Sequence, residues 1–273
     1  MIEIPEAKTI AIQADKLLRG LKIIEVEVLQ TPHKLCWINI KPEILRAQLI
    51  NKTISSVTSS AHYLRFMFND GNELYAAEDL TIAYKAETKQ TDKHQLALHF
   101  DNGYLLELKV KMYGFIGFGK SEHLASEWKY YRVAIEAIDP LSDAFTFEHF
   151  MKVSKLDQQV GSVKQALATD QHIPGLGNGV LQDILFNARI SPKRKVATLK
   201  EEDKQTLYHA TMDTLQTMVA LNGRDSSHLL DGKPGGYHSI MSSKATDCPS
   251  CHGPLLKEAY LGGKVIYCPN CQK

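Results

Sequence analysis

Four cysteines within the last 26 residues, in the order Cys248-x2-Cys251-x16-Cys268-x2-Cys271, are the residues whose type and spacing specify chemistry most directly. Two close pairs separated by the length of one β-hairpin can bring four thiolates into a tetrahedron around a zinc ion. Gly262-Gly263 suits the hairpin turn. Four thiolates leave no open position for a catalytic water, so the expected cofactor is one structural zinc ion. A segment with so few apolar groups needs such a metal to fold. The competing arrangement is two disulfides, which a chain without a secretory segment disfavours. The fifth cysteine, Cys36 in LCWIN, reads as an ordinary buried thiol.

A second chemical signal is the glycine turn Ile173-Pro174-Gly175-Leu176-Gly177-Asn178-Gly179. Glycines let the backbone approach a ligand closely, and the helix that follows presents unpaired N–H groups to an anion. The Asn178 amide would add a donor. Lys164 lies upstream and Lys193-Arg194-Lys195 downstream, so a DNA phosphate is the favoured ligand. The plain alternative is a tight helix–helix turn that binds nothing.

These groups need elements to position them. Residues 5–20 read as an amphipathic helix with Ala7, Ile10, Ala14 and Leu17 on one face and Gly20 as its stop. Period-two runs follow at Ile24, Val26 and Val28, at Leu64, Phe66 and Phe68, and at Leu96, Leu98, Leu106 and Leu108. Asn69-Asp70-Gly71 and Asp101-Asn102-Gly103 are hairpin breaks. Beyond Asp139-Pro140-Leu141 the pattern becomes helical, with candidates at 162–170 and 178–188. A long helix opens on a capping box formed by Thr198 and Glu201 and ends near Asn222-Gly223. Leu207, Ala210, Leu215, Met218 and Val219 form its buried stripe, and a glycine-rich stretch, 231–239, precedes the cysteines.

The chain has 273 residues, 44% hydrophobic, with 32 basic and 31 acidic side chains. No apolar run approaches a membrane span and the start lacks the order of a signal peptide, so a soluble, cytoplasmic monomer with no membrane partner is expected. The near-zero net charge hides an asymmetry: residues 1–150 carry 17 basic and 20 acidic groups, whereas the remainder carries 15 and 11. A modest basic excess on the cysteine-bearing half is compatible with a polyanion.

Taken together, MIEIPE, KQALATDQHIPGLGNGVLQDILFNARISP (164–192), DGKPGGYH and CPSC…YCPNCQK resemble, in order, the motifs of the formamidopyrimidine-DNA glycosylase and endonuclease VIII family of base-excision-repair enzymes. The resemblance implies an α+β fold of two domains. The first is an N-terminal β-sandwich with a leading helix over 1–135. The second is a helical helix–two-turn–helix domain over 140–225 that carries a four-cysteine zinc finger over 240–273. Double-stranded DNA, damaged or abasic, would lie in the cleft between them. In the family a terminal proline amine attacks the sugar of a flipped-out nucleotide, a neighbouring Glu serves as acid/base, and a hairpin Lys and a finger Arg hold phosphates.

The resemblance assigns Glu3 to the catalytic Glu and Met1 to the amine, but Ile2 stands where the family has proline. Retaining Met1 moves the amine by up to about 3.5 Å, comparable with the whole near-attack separation of roughly 3–3.5 Å. The hairpin motif reads Ser59-Ser60-Ala61-His62-Tyr63-Leu64, so His62 replaces the phosphate-binding Lys. Lys264, beside Gly263, is the nearest cation to the finger Arg position. Ile82, Lys111 and Tyr113 stand for the residues that fill the gap in the base stack. The DNA-binding set is then His62, Lys111, Tyr113, Lys164, Asn178 and Lys264. The expected function is recognition of damaged or abasic duplex with lyase activity impaired or absent. The alternative is an active glycosylase using the Met1 amine or a Glu3-activated water.

Overall fold

The computed structural model describes residues 1–87, 93–158 and 160–273. The chain forms two compact units. One comprises Met1–Ile2, Glu6–Glu136 and Ser226–Gly235, the other Glu3–Pro5, Ala137–Asp225 and Gly236–Lys273.

The first unit takes helix α1 (Ile4–Leu18) from Glu6 onward and then builds one sheet from β1 (Ile23–Val28), β2 (Cys36–Ile38), β3 (Ile54–Ser60), β4 (Tyr63–Phe68), β5 (Asn72–Ala86), β6 (Leu96–Phe100) and β7 (Tyr104–Lys120), with helix α2 (Pro42–Leu49) between β2 and β3. The strand order is β1-β6-β7-β5-β4-β3, antiparallel throughout, and β2 adds to β7 in parallel. The long strands β5 and β7 serve two arms. Leu80–Ala86 pairs with Tyr104–Val110 on the β6 side, and Asn72–Glu78 pairs with Gly114–Lys120 on the β4 side. A bulge between Glu78 and Leu80 separates these stretches. Leu96, Leu98, Leu106 and Leu108 of one arm share a core with Leu64, Phe66, Leu74 and Ile116 of the other and with Ala7, Ile10, Ala14 and Leu18 of α1. This is the expected β-sandwich with its leading helix.

Two details of the periodicity differ. In β1 a bulge between Ile23 and Glu25 shifts the register, so Ile23 and Val26 point inward and Ile24 is exposed. In α1 the inward place is taken by Leu18, and Leu17 faces solvent. Cys36 is half-buried, and burial pushes its thiol up to about 11. Helices α3 (Ser121–Glu127) and α4 (Lys129–Glu136) close the unit over Tyr63 and Tyr75, with Tyr131 stacked on Tyr75. The glycine-rich stretch is pinned here through Leu230. Its side chain joins the core, its carbonyl accepts the Tyr84 N–H at 2.8 Å, and its N–H donates to the Gln13 side chain.

The second unit contains α5 (Phe147–Ser154), a π-helical turn (Gln165–Thr169), α6 (Asn178–Asn187), α7 (Glu201–Ala220) and the ribbon strands β8 (Leu256–Tyr260) and β9 (Gly263–Tyr267). The helix expected over 162–170 is present over 163–169 and widens to π-helical geometry from Gln165 onward. The expected Thr198–Glu201 box does not form, because a short 3-10 turn at Val196–Thr198 delays the start of α7. Thr198 donates to the Lys195 carbonyl, and the Lys200 N–H donates to Asp203 at 2.8 Å. Leu207, Ala210, Leu215 and Met218 are buried as expected, while Val219 is only half-buried. Asp183, fully buried on α6, accepts the N–H groups of Ile240 and Met241 and so anchors the approach to the ribbon; burial pushes its carboxyl up. Among the described residues no helix is long and apolar enough to cross a membrane.

Candidate functional site

The four cysteines converge in the second unit, their ligand atoms all within 4.8 Å of one another. The Cys248 and Cys271 sulfurs are 3.8 Å apart and those of Cys251 and Cys268 3.5 Å apart. A zinc tetrahedron with bonds of ~2.3 Å has sulfur–sulfur edges of about 3.8 Å, so the donor set fits a metal ion of that size. The turn between β8 and β9 is Leu261-Gly262, both at positive φ, as a two-residue hairpin loop requires; Gly263 already belongs to β9.

Lys164 meets this turn from the helical side. It is only 3% exposed, and its ammonium donates to the Tyr260 and Leu261 carbonyls at 2.8 and 3.1 Å. Burial pushes its pKa down. Asn178, the first residue of α6, donates through Nδ2 to the Lys264 carbonyl at 2.7 Å. Three residues named from sequence, Lys164, Asn178 and Lys264, therefore come together. The first two clasp the ribbon to the helical elements, and the Lys264 side chain stays exposed. Of the basic run, Lys193 pairs with Glu258 and Arg194 with Asp203, leaving Lys195 exposed.

The glycine turn does cradle an anion, and the anion is the protein's own Glu3. Its carboxylate accepts the Gly179 N–H at 3.1 Å and the Val180 N–H at 2.9 Å, at the positive end of α6, and Arg224 lies 3.3 Å from Oε1. A Cβ on Gly177 would stand 2.5 Å from the Glu3 carboxyl carbon, and one on Gly179 would stand 2.0 Å from the Arg224 guanidinium. The glycines are there to seat Glu3 and Arg224. Nothing in the local sequence signals a ligand for this turn from over 170 residues away, and Arg224 escapes the sequence reading for the same reason.

Met1, His62 and Tyr113 gather in the first unit around two consecutive acids of β5 that alternation alone does not flag. The Met1 amine contacts Asp79 Oδ1 at 2.6 Å, and the Ile2 N–H donates to the Glu78 carbonyl at 2.9 Å. His62 follows Ala61 in the two-residue turn between β3 and β4, is 8% exposed, and sets Nε2 3.2 Å from Glu78 Oε1. Tyr113 shares Glu78 by a side-chain hydrogen bond, and burial first, then the nearby carboxylates, push its phenol up to about 12. Lys111 is exposed on β7, as is its neighbour Met112. Ile82 does not project as a wedge; it is buried in the sandwich core.

Two family models match the chain. The formamidopyrimidine-DNA glycosylase N-terminal domain covers residues 1–139, and the formamidopyrimidine-DNA glycosylase H2TH domain covers residues 137–229. A formamidopyrimidine-DNA glycosylase of Cytobacillus firmus is 27% identical over the full length of both chains. One from Thermus thermophilus is 33% identical over 49% of this chain and 52% of its own. Among solved structures, the MutM (Fpg) protein of Thermus thermophilus aligns at a TM-score of 0.83 with 26% identity, over 99% of this chain and 98% of that one. Lactococcus lactis Fpg in complex with abasic-site DNA aligns at 0.86 with 23% identity over 99% of each chain.

Proposed function

Because the chain belongs to the formamidopyrimidine-DNA glycosylase family, we propose that it binds double-stranded DNA containing a damaged base or an abasic site, in a DNA-repair setting, with little or no amine-dependent lyase activity. The observation that carries the binding half is the double clasp of the ribbon, by Asn178 on the Lys264 carbonyl and by Lys164 on the Leu261-Gly262 turn. It fixes the exposed Lys264 beside the N-terminus of α6, where a phosphate is electrostatically favoured. Lys111 and Lys195 are exposed cations that would add to the phosphate contacts.

The four thiolates would hold one zinc ion, whose soft ligands suit it. The ion supplies rigidity to the ribbon, and the chain's own residues do the recognition. Against lyase chemistry stand Ile2 at the usual proline position and the engagement of the Met1 amine by Asp79. A glycosylase working through a Glu3-activated water has less support, since both Glu3 oxygens already accept backbone N–H groups.

A misplacement of about 1 Å at a reacting group costs on the order of 100-fold in rate. Strand nicking at an abasic site is therefore expected to be at least ~100-fold slower than by the Thermus thermophilus relative assayed alongside. Nicking within tenfold of that relative would overturn this half of the proposal.

A further inference from the structure

Resting on the family reading above, we infer that Asp79 is a positioning residue that withholds the Met1 amine from attack. The amine is held at two points. Its nitrogen lies 2.6 Å from Asp79 Oδ1, and the next residue donates its N–H to the Glu78 carbonyl at 2.9 Å. Ile2 is itself buried in the sandwich core, which sets the path of the first two residues along Glu78-Asp79. The Asp79 side chain is 16% exposed and that of Met1 39%, so the contact stands at the edge of the core with water on the methionine side.

The backbone that presents Asp79 is unusual. Glu78 has φ +84, a left-handed conformation that a non-glycine residue adopts only at a cost in backbone strain. It sits at the bulge that interrupts the β5–β7 pairing, so Asp79 leaves the ladder between Glu78 and Leu80. The Glu78 carboxylate is occupied by His62 and Tyr113, which leaves Asp79 as the acid facing the amine.

The contact itself sets the direction of the effect. An amine that donates to Asp79 Oδ1, while the Ile2 N–H is pinned to the Glu78 carbonyl, is directed at β5 and must leave Asp79 before its nitrogen can meet a sugar carbon, so Asp79 holds it out of use.

The test compares the full-length wild-type protein with Asp79→Asn and Asp79→Glu. Acylation of the Met1 amine by acetic anhydride is followed by peptide mass spectrometry, beside borohydride trapping on an abasic-site duplex. Asp79→Asn is expected to raise the acylation rate and the trapped yield at least fivefold, while Asp79→Glu stays at the wild-type level. Unchanged or slower acylation in a folded Asp79→Asn protein would overturn the inference, as would a Met1 amine already blocked in the purified chain. Faster acylation with no trapping in any variant would uphold the hold on the amine and place the failure in the DNA reading.

Discussion

Glu3→Ala is expected to lower the free energy of unfolding by about 3 kcal/mol, the low end of what removing one partner of a buried ion pair costs. Glu3 and Arg224 are each 5% exposed, and the Glu3 carboxylate also receives the Gly179 and Val180 N–H groups. Deleting the carboxylate strands two backbone donors away from water and leaves a guanidinium without its nearest anion in the turn. Asp183 still exerts an electrostatic pull on Arg224, which is why the upper end of about 5 kcal/mol is not expected. Glu3→Gln keeps an acceptor for the helix terminus and should lose less, about 1–2 kcal/mol. Urea unfolding of the three proteins checks this. A Glu3→Ala loss below ~1 kcal/mol would show that the carboxylate does not organise the turn.

The larger effect on function should come from the ribbon. Cys268→Ser, or exhaustive chelation, is expected to release the metal, unfold residues 248–273 and weaken binding to abasic duplex at least ~100-fold. A structural zinc contributes roughly 10–16 kcal/mol to domains of this kind. The apolar cluster around the cysteines, including Phe186, Met241, Leu255 and Ile266, is too small to replace that. Loss of the ribbon also removes the Lys264 carbonyl that Asn178 holds. Metal content by mass spectrometry, circular dichroism and binding on the same sample provide the check. Retained affinity in metal-free protein would contradict it.

How far the structure is legible in the sequence depends on the range of the interaction. The cysteine spacing and the Asn69-Asp70-Gly71 and Asp101-Asn102-Gly103 breaks are local codes, and the converging sulfurs and the hairpins at those breaks follow them. The glycine turn reads as a cradle for a DNA phosphate, and its N–H groups hold the Glu3 carboxylate instead, because a helix N-terminus is an anion site whatever the anion. Its occupant cannot be read locally, since it enters from the other end of the chain. The same limit applies to Lys164, which sequence presents as a surface cation and the fold buries against two carbonyls. The register shifts escape notice because β1 carries one extra residue, Ile24, and β7 sets three residues, 111–113, opposite the single Asp79 of β5. Alternation alone does not flag Glu78-Asp79 either; two adjacent acids in mid-strand are the signal that could mark the amine's partner.

Fluorescence anisotropy is the most direct measurement of the central claim. The zinc-loaded protein is titrated with an intact duplex and with the same duplex carrying a tetrahydrofuran abasic analogue, at two salt concentrations. Binding to the abasic duplex at least ~10-fold tighter, and weakening with salt in both cases, is the result expected of a damage-recognising surface that carries a few cations. Equal affinity for the two duplexes would contradict it.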